Sequence, residues 1–180
     1  MPVQLILAIS ENDVIGIDGQ LPWHIPLDMQ WFKMNTYAGA IIMGRKTWDS
    51  LPRKPLPGRL NIVLSRSMMD SDDCICCQHW SDALAIAQEC SSNVYIIGGG
   101  DIYNQALLLK IVDTLIITRV HQVVTANNLT YCMLPLYKTK AWQSSMFQYK
   151  TIPFHFELYT VNKFANQTMS KKRMFANQTI

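Results

Sequence analysis

Ile96-Ile-Gly-Gly-Gly-Asp-Ile-Tyr103 reads as the end of a buried strand, a three-glycine turn and the opening of a helix. The same switch recurs upstream. Ile42-Met-Gly-Arg-Lys-Thr-Trp48 ends an apolar run at Gly44 and starts a short helix, and Leu60-Asn-Ile-Val-Leu-Ser-Arg66 ends another strand. Working outward, Val3 to Ser10, Ala40 to Met43, Leu60 to Leu64, Val94 to Ile97 and Thr114 to Val120 are predicted strands. Pro26–Thr36, Arg45–Ser50, Ser81–Cys90 and Gly100–Leu109 are predicted helices between them, with Ser81 as N-cap and Asp82 in the first turn. Such alternation predicts an α/β domain with a mainly parallel sheet covered on both faces. Trp142–Tyr149 and Phe154–Lys163 read as two longer strands forming an antiparallel edge.

Composition narrows the class. The 180 residues are 49% apolar, enough for one domain with a substantial core. The longest apolar runs fall well below a membrane span, and the N-terminal stretch lacks the pattern of a signal peptide. Five cysteines (Cys74, Cys76, Cys77, Cys90, Cys132) are odd in number and lack metal-ligand spacing, so free thiols in a reducing cytoplasm are expected. The Asn-x-Thr sequons at Asn128, Asn166 and Asn177 then carry no role. A net charge of +3 without a basic stripe argues against nucleic acid and is compatible with small anionic ligands. His24, His79, His121 and His155 are scattered, and neither a metal site nor a catalytic triad is expected from them.

Chemistry enters at Leu21-Pro-Trp-His-Ile-Pro-Leu-Asp-Met-Gln-Trp-Phe32, where Asp28 stands alone among large apolar side chains. Leu27, Trp31 and Met34 form an i, i+4, i+7 stripe expected to face the core. Asp28 and Phe32 share the adjacent face, with Met29 beside them. An acid in a first helical turn is favoured by the helix dipole alone, and that bland reading stands beside the alternative of an anchor for a nitrogen-rich ring. Gly98, Gly99 and Gly100 allow close backbone approach at a helix start, as does any tight strand-to-helix turn. Arg45, Lys46 and Thr47 make either an anion site or an ordinary solvated turn. Three basic or glycine-rich strand ends in one open sheet suggest an extended phosphorylated ligand such as a nucleotide cofactor.

Taken in order, Val14-Ile-Gly16, Leu21-Pro-Trp23, Asp28-Met-x-Trp-Phe32, Met43-Gly-Arg-Lys-Thr47, Leu56-Pro-Gly-Arg59, Leu64-Ser-Arg66 and Ile97-Gly-Gly-Gly-x-x-Tyr103 resemble the signature blocks of the dihydrofolate reductases. The resemblance runs from about residue 3 to residue 163. It implies an eight-stranded mixed sheet with flanking helices, NADPH as cofactor and 7,8-dihydrofolate as substrate, with antifolate inhibitors competing for the same site. By position, it implies Asp28 at the pterin, Thr118 hydrogen-bonded to that acid, and proton delivery through water beside Leu21 and Trp23. Ile6, Ala8, Met29, Phe32, Leu51, Leu56 and Ile97 would wall the substrate, Arg59 would grip its glutamate, and Tyr103 would lie near the nicotinamide. For the cofactor it implies Ala8, Ile15, Gly44, Arg45, Lys46, Thr47, Leu64, Gly98, Gly99, Gly100, Ile102 and Tyr103, with Ser65 and Arg66 at the 2′-phosphate. A cytoplasmic monomer is expected, with a catalytic domain over 1–163 and a polar tail over 164–180 that repeats Phe-Ala-Asn-Gln-Thr.

Three departures stand out. Where many relatives carry Gly-Asp-Thr, this chain reads Asn127-Asn-Leu-Thr130, without the acid that helps hold the active-site loop. Asp101 occupies a position where some relatives have a cation, and about two extra residues separate Tyr103 from Thr118. Two rival readings are a reductase of another pterin or a ribosylamino-pyrimidine, and a folate binder without turnover. Asp28, Phe32 and Arg59 together disfavour the first; Asp28, Trp23 and Thr118 disfavour the second.

Overall fold

A computed structural model describes residues 1–136 and 138–162; Lys163 and the 164–180 tail lie outside the described residues. The elements are β1 (Val3–Ile9), β2 (Val14–Ile17), α1 (Pro26–Thr36), β3 (Ala40–Gly44), α2 (Arg45–Ser50), β4 (Leu60–Leu64), β5 (Ile75–Cys77) and α3 (Trp80–Cys90). There follow β6 (Val94–Gly98), α4 (Gly100–Leu108), β7 (Thr114–Val120), β8 (Leu129–Tyr131), β9 (Lys138–Gln143), β10 (Phe147–Tyr149) and β11 (Ile152–Val161). The main sheet is ordered β10-β11-β7-β1-β6-β3-β4-β5, with β9 also paired to β11. Pairs from β7 to β5 are parallel, and β11 runs antiparallel to β7.

This is the expected mostly parallel, eight-wide mixed sheet with an antiparallel end. Both faces are covered, which explains why the central strands read as unbroken apolar runs. Leu5, Leu7, Ile9, Ile42, Ile96 and Ile117 pack one face against Ala83, Ala87 and Ala106 of α3 and α4. Ile6, Ile41, Met43, Val63 and Ile97 fill the other beneath Trp48, Trp31 and Phe32. Each fully buried Ile or Leu stabilises the fold by roughly 1.5–3 kcal/mol.

Several expectations need correction. Trp142–Tyr149 is not one strand: β9 ends at Gln143 and β10 begins at Phe147, because Ser144 turns its amide and hydroxyl onto the Phe156 backbone. These two segments form the outer edge, so β11 is the penultimate strand. Helix α3 starts at Trp80 with His79 as N-cap, and the Ser81 hydroxyl donates to Asp82 instead of capping. Of the stripe Leu27, Trp31, Met34, Trp31 alone packs on the core, stacked on Phe156 with ring centroids 4.5 Å apart; Met34 is 75% exposed and Leu27 is exposed. The buried residues of α1 are Asp28 and Thr36, on the row that also carries Phe32. Apolar residues surround this helix on several faces, so periodicity alone did not select the inward one.

Candidate active site

Asp28 sits in the first turn of α1 but makes no cap. Its side chain turns into the sheet, where the Thr118 hydroxyl on β7 donates to Oδ1 over 2.6 Å. Register explains the meeting. Ala8 of β1 and Phe156 of β11 flank Thr118, so these three side chains share the face that α1 covers. Asp28 is 6% exposed and Thr118 is 2% exposed. Burial pushes the Asp28 carboxyl up from 3.8 to about 6, and the Thr118 hydrogen bond opposes part of that rise. No other side-chain hydrogen bond reaches the Asp28 carboxylate among the described residues, so Oδ2 can accept from the donor edge of a heterocycle.

The surrounding walls are apolar. Ile6 and Ile97 are buried, while Phe32, Leu51 and Leu56 are half-buried against the same cluster. Trp23 and Ala8 lie buried together, and the Trp23 indole Nε1 has no protein hydrogen-bond partner among the described residues. Leu21 and Met29 are exposed at the rim. Tyr103 is buried and donates its hydroxyl to the Ile6 carbonyl at 2.7 Å, tying α4 to β1. Farther out, Arg59 donates through Nε to the Pro57 carbonyl (3.2 Å) and through Nη1 to Thr36 Oγ1 (3.1 Å), with its guanidinium 5.8 Å from the Phe32 ring centroid. Three of its five N–H hydrogens remain for a ligand.

A second region adjoins the first at the carboxyl ends of β3, β4 and β6. A Cβ on Gly44 would lie 2.8 Å from Ile102, and one on Gly99 would lie 3.2 Å from Thr47 Oγ1. Gly98 has φ +121°, and its peptide to Gly99 is cis. A Cβ on Gly100 would meet Thr130 at 2.7 Å, and Ile15 packs near the same spot. Neighbouring side chains therefore press directly on the glycine backbone here, with Arg45 and Lys46 exposed beside the turn. Beyond it, a cleft of about 400 Å3 is lined by Leu64, Ser65, Arg66, Gln78, Trp80, Ile102 and Gln105. Ser65 Oγ already accepts from the Ser67 and Met68 amides, which shapes the turn and leaves its hydroxyl hydrogen to donate. Gln78, Trp80 and Gln105 were not expected at a site; they come from two segments, the β5–α3 junction and α4, and no local motif marks them. Glycine cradles, flanking cations and an adjoining flat cleft suit a phosphorylated dinucleotide.

The loop after β1 is held without the usual acid. β2 pairs with β8 through Val14–Tyr131, Gly16–Thr130 and Ile17–Leu129. Asn128 Nδ2 donates to Asp18 Oδ1 at 2.8 Å, so the carboxylate stands on the active-site loop and the amide on its partner. The histidines, too, are less scattered than they read: His121 Nε2 lies 2.9 Å from His155 Nδ1, with Glu11 and Glu157 at either end. This cluster lies on the opposite sheet face, since His155 pairs with Arg119 and not Thr118. Among the described residues no group of His, Cys, Asp and Glu is placed to hold a metal, and no helix is long and apolar enough to cross a membrane.

Fold and site together define the class, an α/β protein with a buried carboxylate beside a glycine-rich groove flanked by cations. The sequence matches the family Dihydrofolate reductase over residues 2–160. It is 37% identical over 161 residues to the dihydrofolate reductase of Buchnera aphidicola subsp. Schizaphis graminum, covering 87% of this chain and 96% of that protein. It is 42% identical over 110 residues to the enzyme of Buchnera aphidicola subsp. Acyrthosiphon pisum, and 42% over 107 residues to that of Haemophilus influenzae. Each of these two shorter alignments covers 59% of this chain and 66% of the relative. The chain belongs to the dihydrofolate reductase family, whose members use a nicotinamide cofactor.

Proposed function

We propose that the protein reduces 7,8-dihydrofolate to 5,6,7,8-tetrahydrofolate with NADPH, supplying one-carbon and thymidylate metabolism. The observation that carries this reading is the Asp28–Thr118 pair, buried at 2.6 Å in an apolar cleft beside the glycine turn. Asp28 Oδ2 accepts from the pterin 2-amino group and N3, fixing the ring. Phe32, Ile6, Ala8, Met29, Leu51, Leu56 and Ile97 keep it dry, and the Trp23 indole offers its free N–H to the ligand or an ordered water. Water admitted beside Leu21 and Trp23 relays a proton from bulk solvent to N5. Arg59 takes the glutamate α-carboxylate with its unused N–H hydrogens, a geometry a guanidinium fork suits.

Gly44, Arg45, Lys46, Thr47, Gly98, Gly99 and Gly100 would hold the pyrophosphate region, and Ala8, Ile15 and Tyr103 the nicotinamide end. Leu64, Ile102, Trp80, Gln78 and Gln105 would wall the adenine end. When bound, NADPH supplies the hydride that reduces pterin C6. Ser65 and Arg66 meet its 2′-phosphate, which selects NADPH over NADH. Arg66→Ala is expected to raise the NADPH dissociation constant about tenfold while leaving that of NADH unchanged, since one charge-assisted contact is worth about that factor. Fluorescence titration with both cofactors checks this, and an equal loss for both would reject the role.

The catalytic domain comprises residues 1–163, with 164–180 an appended polar tail; the family match ending at residue 160 supports that division. A cytoplasmic monomer suits five free thiols. Following NADPH oxidation spectrophotometrically with dihydrofolate tests the activity. Absence of turnover in protein that still binds an antifolate tightly would overturn it.

A further inference from the structure

Asn61 is the one polar residue in the apolar run of β4, and it is 4% exposed. A buried carboxamide must be hydrogen-bonded or it destabilises the fold. Its partners all lie in the preceding loop. Oδ1 accepts from the Leu56 amide (3.0 Å), and Nδ2 donates to the carbonyls of Leu56 (3.0 Å) and Arg59 (2.8 Å). One side chain thus satisfies three backbone groups across the turn Leu56-Pro-Gly-Arg59. On the other side the turn is tied to the end of α1. Ala38 donates its amide to the Gly58 carbonyl at 2.9 Å, and the Arg59 guanidinium reaches Thr36 Oγ1. Gly58 adopts φ +70°, and a Cβ there would lie 2.7 Å from the Tyr37 ring, so the turn sits close against the end of the helix. Only the Asn61 side of the turn is set by a single replaceable side chain.

We propose that Asn61 is a positioning residue for the outer end of the substrate site: by clamping the backbone at Leu56 and Arg59, it fixes the direction in which the Arg59 guanidinium is presented. The inference rests on the dihydrofolate reading and deepens it. Asn61 touches neither reacting ring, so its influence is confined to substrates that carry the terminal carboxylate. Leu56, whose amide and carbonyl are both held, belongs to the same outer wall.

The test compares wild type, Asn61→Ala, Arg59→Ala and the double variant with two substrates, dihydrofolate and a dihydropterin lacking the benzoylglutamate. Asn61→Ala is expected to raise KM for dihydrofolate about tenfold, with kcat within about twofold, because the loss of positioning hydrogen bonds weakens a charged contact without touching the chemistry. For the truncated substrate both constants should match wild type. In the Arg59→Ala background, Asn61→Ala should add nothing, since the two act through one contact. Equal losses for both substrates, or additive losses in the double variant, would overturn the proposal. If Asn61→Ala does not fold, amide exchange in the wild-type protein decides: a Leu56 amide exchanging at open-chain rates would overturn it, and protection supports it. Lack of dihydrofolate turnover by wild type would instead reject the activity reading.

Discussion

Asp28→Asn is expected to lower dihydrofolate turnover at pH 7 by about a hundredfold or more, the scale of losing a positioned ionisable group, while NADPH affinity stays unchanged. The Asn carboxamide still accepts from Thr118, so the geometry survives. What is lost is a carboxylate opposite the amino and N3 edge of the pterin. Comparable loss of NADPH binding would show that Asp28 acts on the cofactor side. In the wild-type protein, dihydrofolate affinity should fall as pH falls through about 6, where burial places the Asp28 titration and protonation removes the carboxylate that accepts from the pterin edge. A flat profile from pH 5 to 8 would reject that assignment.

The same substitution should stabilise the empty protein at high pH. The Asp28 carboxyl titrates near 3.8 in the open chain and about 6 when folded, so the unfolded state ionises first as pH rises. Stability linked to this group is complete below about 3.8 and is lost through about 6. At roughly 1.4 kcal/mol per pH unit, the loss is of order 3 kcal/mol above that range. Asp28→Asn removes it, and a gain of about 1–3 kcal/mol in urea unfolding at pH 8, vanishing near pH 4, is expected. A destabilised variant at pH 8 would contradict the buried carboxylate.

Gly98→Ala should have the largest structural effect. Its φ of +121° lies where side chains are rarely tolerated, and the added Cβ would come within 3.2–3.3 Å of the Tyr103 ring and hydroxyl. Tyr103 cannot yield easily, because its hydroxyl is held by the Ile6 carbonyl. Backbone strain and overpacking together should destabilise the protein by about 2–4 kcal/mol. Denaturant unfolding checks this. A variant as stable as wild type would mean that the turn relaxes without Tyr103.

Much of the fold was legible in the chain because parallel strands buried on both faces are written locally as apolar runs. Ala40–Gly44, Leu60–Leu64 and Thr114–Val120 emerge almost residue for residue. The short β2, β5 and β8 were not legible, since three or four residues carry no period of their own. Nor was the break between β9 and β10, which depends on Ser144 finding the Phe156 backbone. Seven ordered blocks pointed to the family. They did not mark Gln78, Trp80 and Gln105, of which Gln105 meets the other two only when α4 packs beside the start of α3.

By itself the sequence determined the α/β class, the glycine turn at Gly98–Gly100, the family, and Asp28 as the acid of interest. Those are local features: runs, turns and single residues at fixed spacing. The resemblance also named Thr118, ninety residues away along the chain, as the partner of Asp28; tertiary structure supplied the geometry, an inward-turned side chain with the hydroxyl at 2.6 Å. Tertiary structure alone decided that α1 buries Asp28 and Thr36 and half-buries Trp31 and Phe32, while Leu27 and Met34 stay exposed. The reason is physical. A helix with apolar residues on several faces has no single preferred orientation, and its inward face is set by the hydrogen-bond partners and ring-sized space that the sheet provides.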